Sequence, residues 1–307
     1  MSNAEKVIGL LESIVDGAVI NLEDYKYSLA NIKAKYMRGV YFQDTFDGAE
    51  LVVESLRDCK LLGSSSSSIV TESGYSAVLT LLNSSGIELS GLTFGHEPEK
   101  SFCAGDVLRF VDCKNVTLTN LDLFGCGIYG LNMEKCDDFE IVDCVIRECT
   151  DGIASLSHCE RISFKNCTFK ENLSKLFHIN HCDQISFVGC RFEKNSLAYF
   201  ADEDVTLFLH GSCGEVTCVD CYFDEKGAIS NRIEDVTLIE NIRLRTRQPI
   251  SRLVERRKAG MTVGALLGGV IEAKVGMTSL SKVSRIAGKR RKGRRNGSSV
   301  DTGKLPF

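Results

Sequence analysis

Apolar and polar residues alternate along the middle of this chain in a pattern that restarts every 23 residues. Cys113, Cys136, Cys159 and Cys182 mark the restarts, and Cys213 follows after 31 residues. The third and fifth positions after each leading cysteine are apolar: Val116 and Leu118, Phe139 and Ile141, Ile162 and Phe164, Ile185 and Phe187. The eighth and tenth follow suit, as in Leu121 and Leu123, Cys144 and Ile146, Cys167 and Phe169, Cys190 and Phe192, and Cys221 and Phe223. Alternation at period two predicts strands with one buried face. The shift from odd to even offsets requires a bend, and Asn120, Asp143, Asn166, Gly189 and Asp220 occupy it, all types that tolerate left-handed backbone. Leu131 and Met133, Ala154 and Leu156, and Phe177 and Ile179 mark a further strand in each repeat. Versions without the cysteine start at Ser84 and Ile233.

Short strands in repeating register describe successive turns of a parallel β-solenoid, in which each turn buries its apolar face against the next, about 4.8 Å away. Residues 18–245 hold about ten such coils at this period, with residues 1–17 a helical cap and residues 246–307 a separate tail. The amphipathic segment Ala4–Val15 closes the N-terminal end, where open strand edges would otherwise be exposed. A leucine-rich repeat has a similar period, but its asparagine-and-leucine signature and helical stretches are missing.

Fourteen cysteines in a long chain do not describe a disulfide-stapled secreted domain. They form columns: the leading positions, the eighth positions, and a third column holding Cys126 and Cys149. A reduced thiol behaves as a small apolar filler for a narrow core. The N-terminus, broken by Glu5, Glu12 and Asp16, lacks the features of a signal peptide, and no apolar run reaches 18 residues. A cytoplasmic protein is expected. The net charge of −4 conceals an asymmetry. From Arg243 onward there are 17 basic and 3 acidic residues, a net of +14, which leaves −18 on residues 1–242. Such a tail suits an anionic partner, or folds back on its own acidic body.

The opening VDGAVINLEDYKYSLANI, the GVYFQD that follows, and the stretch from Gly86 to Leu131 resemble bacterial right-handed parallel β-helix repeat proteins of the pectate-lyase-like superfamily. The resemblance covers about three quarters of the chain and implies an all-β, single-stranded right-handed solenoid. It leaves activity open, because this architecture hosts lyases, hydrolases, esterases and non-catalytic binders. A lyase of this kind uses carboxylates on calcium with a basic proton acceptor. A polygalacturonase-like hydrolase uses clustered carboxylates with a Gly-His-Gly, which is absent here.

The irregular region between residues 95 and 151 offers the main candidates for chemistry. His96 opens an insertion, and Asp122, Arg147 and Glu148 lie one and two coils later. Together they would make a ligand site or an acid/base set on one edge of the solenoid; otherwise they are paired turn residues. Asp137 and Asp138 fall in a slot that reads as a solvated turn. His158 and His181 share a coil position and are the candidates for a metal, with His178 nearby, although a surface ladder explains them as well. Cys218 and Cys221 have CxxC spacing, but without a second pair the metal signal is weak. No cofactor is implied. The absence of tryptophan argues mildly against a carbohydrate-stacking surface.

The tail changes character. Gly260, Gly264 and Gly268 form a small-residue zipper suited to helix association, within an apolar run too short to span a bilayer. Lys289, Arg290, Arg291, Lys292, Arg294 and Arg295 form a cationic cluster for phosphates of nucleic acid, for lipid head groups or for an acidic protein. The tail is therefore expected to be partly helical or disordered. The sequence as a whole predicts a non-catalytic scaffold tethered through this basic tail. The alternatives are a carbohydrate-active lyase or hydrolase, and a protein in which nucleic-acid binding by the tail is the working part.

Overall fold

The computed structural model describes residues 1–32, 37–97, 104–125, 127–173, 177–195, 208–210, 213–223 and 242–245. Residues 246–307, with the glycine zipper and the cationic cluster, lie outside them. The chain opens with the helix Asn3–Ser13, started by a capping box between Ser2 and Glu5. Its apolar stripe buries Val7, Leu10 and Leu11 in the main core, and Asn3 ties the helix to the backbone of Ser28. The first coil is thereby covered, as an exposed sheet end requires.

Each regular coil contributes one strand to each of three parallel sheets. In the coil led by Cys113 these are Lys114–Thr119, Asp122–Phe124 and Tyr129–Glu134. The sheets have nine, eight and eight strands among the described residues, so the first sheet records nine coils where about ten were expected. Stacking is in register: Val116 pairs with Phe139, Phe139 with Ile162, and Ile162 with Ile185. The last pairing sets Ile242 against Val216, so the final coil falls six residues beyond the phase expected from Ile233, whose third position would have been Val236. The strand Ile242–Arg245 keeps the apolar–polar alternation that a column demands.

The bend between the first and second sheets has positive φ at Asn120 (51°), Asp143 (52°), Asn166 (52°), Gly189 (65°) and Asp220 (52°). A left-handed residue there turns the chain sharply and moves the inward set from odd to even offsets. Asn and Asp accept it because their short side chains bond locally. A second left-handed column precedes the leading position at Asp112, Lys135, His158 and His181.

The core runs the length of the helix. Phe164 is fully buried, stacks on Phe187 at 4.9 Å between ring centroids, and meets Phe169 and Phe177 edge-on at 5.9 and 5.6 Å. The eleven cysteines whose side chains are described are all thiols. Those of the leading and eighth columns donate weakly to carbonyls of the preceding coil, as Cys136 does to Phe110, Cys167 to Ile141 and Cys221 to Phe187. Burial pushes the Cys149 thiol up, so it stays protonated and unreactive. The Cys149 column continues into Asn172 and Asn195, both buried. The Asn172 side chain accepts from the Cys149 amide and donates to the Ile146 carbonyl, each at 3.0 Å, and Asn195 repeats the scheme one coil later.

Differences in coil length are unevenly distributed. The step from the third sheet to the next leading position is five residues in Leu79 to Ser84, Leu108 to Cys113, Leu131 to Cys136 and Phe177 to Cys182. The connection from the second sheet to the third absorbs most of the variation. In the first coil it contains an antiparallel hairpin, Val40–Asp44 with Ala49–Glu54. Later it lengthens after His96 and again after Glu193.

Candidate functional site

Asp122, Arg147 and Glu148 come together on the outer surface of the second sheet. Within Asp122–Phe124 and Val145–Arg147 the middle residues, Leu123 and Ile146, point inward, so the flanking residues face out. Arg147 lies in register with Phe124 and reaches diagonally to Asp122. Its Nε and a terminal nitrogen donate to both Asp122 oxygens at 2.9 Å, and its other nitrogen donates to Glu148 at 2.8 Å. The guanidinium sits 4.7 Å from the centre of the Phe124 ring. That ring lies over Gly95, where a Cβ would fall 2.3 Å from it, so only glycine leaves room. Hydrogen bonding to Asp122 holds the Arg147 guanidinium even more firmly protonated than usual. Both carboxylates are thus engaged by one fixed cation, a poor starting point for proton transfer to a substrate.

His96 does not join them. It ends the strand Thr93–His96 with the inward parity of Phe94, and only 3% of its surface is exposed. Its Nε2 lies 2.9 Å from the Ser76 carbonyl oxygen, which selects the tautomer with the proton on Nε2. Nδ1 then carries a lone pair with no partner among the described residues. Gly127 packs against the ring, where a Cβ would lie 3.2 Å from Cε1, and Gly125, at φ +125°, packs against the His96 backbone. The sequence reading placed all four residues on one edge. The alternation of the strand separates them, with His96 inside and the other three outside.

Burial lowers the His96 pKa below the ordinary histidine value. The folded state therefore binds this proton more weakly than the unfolded state, and its stability is complete only above about pH 6.5. Between pH 7.5 and 5.5 the wild-type chain is expected to lose more stability than His96→Gln, as read from urea unfolding. Parallel losses in the two proteins would show that His96 does not resist protonation.

The hydroxyls around Ser76 continue towards the hairpin tip. Ser76 Oγ lies 2.7 Å from both Thr45 Oγ1 and Ser73 Oγ. Ser73 in turn bonds the Asp47 carboxylate, which also accepts from the amides of Gly74 (2.7 Å) and Tyr75 (3.2 Å). Against the opposing effect of burial, these donors hold the Asp47 carboxyl below its usual range. Just before the third sheet, Asp106 accepts from Asn132 at 2.7 Å, and burial raises its pKa. Neither Asp106 nor its partner Asn132 carries a motif signal in the sequence.

His158 and His181 stack in parallel, 4.8 Å between centroids and 4° between planes. Stacked imidazoles direct their in-plane lone pairs side by side rather than at a common point, so this arrangement does not chelate a metal. Among the described residues no group of three or more potential ligands converges. Cys221 is buried with its thiol on a backbone carbonyl, and Cys218 stands in register with Phe187. Asp138 is held by Arg161, and Asp137 by Lys114 at 3.0 Å, so each is an ion-paired surface residue.

A solved structure from Parabacteroides merdae, described as that of a candidate glycosyl hydrolase, aligns with 61% of this chain and 82% of its own. The identity is 9% and the TM-score 0.31, too low to carry an argument about activity. No curated protein matches the chain significantly. Among the described residues, no helix is long and apolar enough to cross a membrane. The model of the right-handed β-helix region matches residues 55–242, more than half of the chain, and covers the stacked coils that follow the first. The chain belongs to the right-handed β-helix family.

Proposed function

We propose that this chain is a non-catalytic β-helical scaffold, tethered to an anionic partner by the basic segment Lys289–Arg295. The observation that carries this reading is the closure of the best candidate site upon itself. Arg147 engages Asp122 through two hydrogen bonds and Glu148 through a third, while the only histidine of the set is enclosed behind the sheet. A catalytic pair needs a carboxylate poised to exchange a proton with substrate, and here the carboxylates serve the surface instead. A rigid stack with its polar outer columns locked in ion pairs suits presentation of loops and a tail. The charge of residues 243–307 supplies the affinity for an anion.

Removal of residues 246–307 tests the tether. The full chain is expected to bind double-stranded DNA, RNA or phosphatidylserine vesicles with an affinity that falls about tenfold or more between 50 and 200 mM salt, as several released counterions require. The truncated chain is expected to bind none of them. Equal binding by both proteins rejects the tether, and the three probes distinguish nucleic acid from lipid. A polysaccharide screen with and without calcium addresses the scaffold claim: turnover lost on Arg147→Ala would make the chain an enzyme.

A further inference from the structure

The chain builds the same small device at three places on its surface: an aromatic ring, a carboxylate and a cation. Lys6 lies 4.3 Å from the Tyr25 ring centre and pairs with Glu23. Arg147 lies over Phe124 and pairs with Asp122. Arg191 lies 4.8 Å over Tyr222 and pairs with Glu193. In each, the ring face and the carboxylate attract the same positive charge.

A fourth assembly has the ring and carboxylate parts alone. The hairpin turn Thr45-Phe46-Asp47-Gly48 sets Phe46 at the tip, 87% exposed, a wide departure from where phenylalanine normally resides. Phe46 meets Tyr75, itself 43% exposed, at 5.1 Å between ring centres. The turn is not a loose excursion. Asp47 is fixed by Ser73, Gly74 and Tyr75, and a Cβ on Gly48 would lie 2.9 Å from that of Ser73, so the tip is held tightly on the neighbouring loop. Beside it runs a groove of about 410 Å³, floored by Leu29 and Ile32 and flanked by Asp44, Asp47 and Glu72. These three carboxylates form no ion pair among the described residues, and no described cation covers either ring.

We propose that this groove and its aromatic rim dock an arginine- or lysine-bearing peptide segment of a partner protein. The cationic head group would take the place that Lys6, Arg147 and Arg191 fill in the three internal devices, and its aliphatic stem would lie along the half-buried Ile32. Charge complementarity selects this occupant, because the described lining carries three acidic side chains and no basic one. Its occupant is opposite in charge to the anionic partner proposed for the basic tail.

Calorimetric titration of the full chain with acetyl-hexaarginine amide tests the proposal, with hexacitrulline, an uncharged analogue, and maltohexaose as comparison ligands. Hexaarginine is expected to bind and the other two not. Phe46→Ala and Tyr75→Ala should each weaken binding about fivefold, the worth of an exposed cation–π contact. Asp44→Asn combined with Glu72→Gln should weaken it further. Glu134→Gln combined with Glu171→Gln, which removes equal charge elsewhere, should change affinity less than twofold. Phe46 projects into solvent and Tyr75 is 43% exposed, and melting curves of the single variants, expected to match wild type, separate lost binding from lost folding. The proposal is overturned if the aromatic variants bind as wild type does, if the remote pair causes an equal loss, if maltohexaose binds instead, or if hexaarginine fails to bind.

Discussion

Phe164→Ala is expected to destabilise the β-helix by about 3–5 kcal/mol, the range for truncating a large aromatic in a closed core. Phe164 has no exposed surface and touches three other rings, Phe169, Phe177 and Phe187, at centroid distances of 5.9, 5.6 and 4.9 Å. The neighbours cannot close around the vacancy, because the hydrogen-bonded strands fix the distance between coils. Urea unfolding followed by circular dichroism measures the loss, and a shift smaller than about 1 kcal/mol would mean that this core is loosely packed. Because each coil supports only its neighbours, the effect should be greatest for unfolding of the coils led by Cys159 and Cys182.

Asn172→Leu is expected to cost a similar amount, about 3–5 kcal/mol, for a different reason. The two side chains have the same number and branching of heavy atoms, and leucine is the bulkier, so no cavity forms. The cost comes from the Cys149 amide and the Ile146 carbonyl, which lose their partners inside the core, and from the disrupted link to Asn195. Each stranded polar group costs about 1–3 kcal/mol. Asn172→Cys copies the residue one coil earlier and should recover part of the loss, because a thiol can still donate weakly. The test is direct: if leucine proves as stable as asparagine, the amide ladder contributes nothing net. Amide exchange at Cys149 gives an independent reading, with protection falling in the leucine variant.

Much of this architecture was legible because parallel pairing in register turns vertical neighbours into a fixed sequence offset. Val116, Phe139, Ile162 and Ile185 are one column in space and one spacing in the chain. The bend residues were legible for a steric reason, since few types accept positive φ. Four features escaped. Asn172 and Asn195 continue the Cys126 and Cys149 column at the same offset, but asparagine reads as a turn residue until its burial is known. The first-coil hairpin pairs antiparallel, so it leaves no mark at the solenoid period. His96 was grouped with Arg147 on proximity of coils, whereas counting inward and outward positions from Phe94 would have placed it behind the sheet. Interruptions of the period also hid the final register, where Ile242 rather than Val236 continues the column.

The uneven distribution of coil length has a geometric outcome. Two of the three corners of the solenoid are nearly uniform, while the third carries enlarged connections in the first, third and seventh coils. Measured along the axis, the second-sheet strands that precede them stand about 10 and 19 Å apart at one strand spacing per coil. A small molecule could engage a single one of them, whereas an extended polymer laid lengthwise would cross all three within about 30 Å. Selectivity for long over short ligands would then follow from simple span, with the stacked coils acting as a ruler.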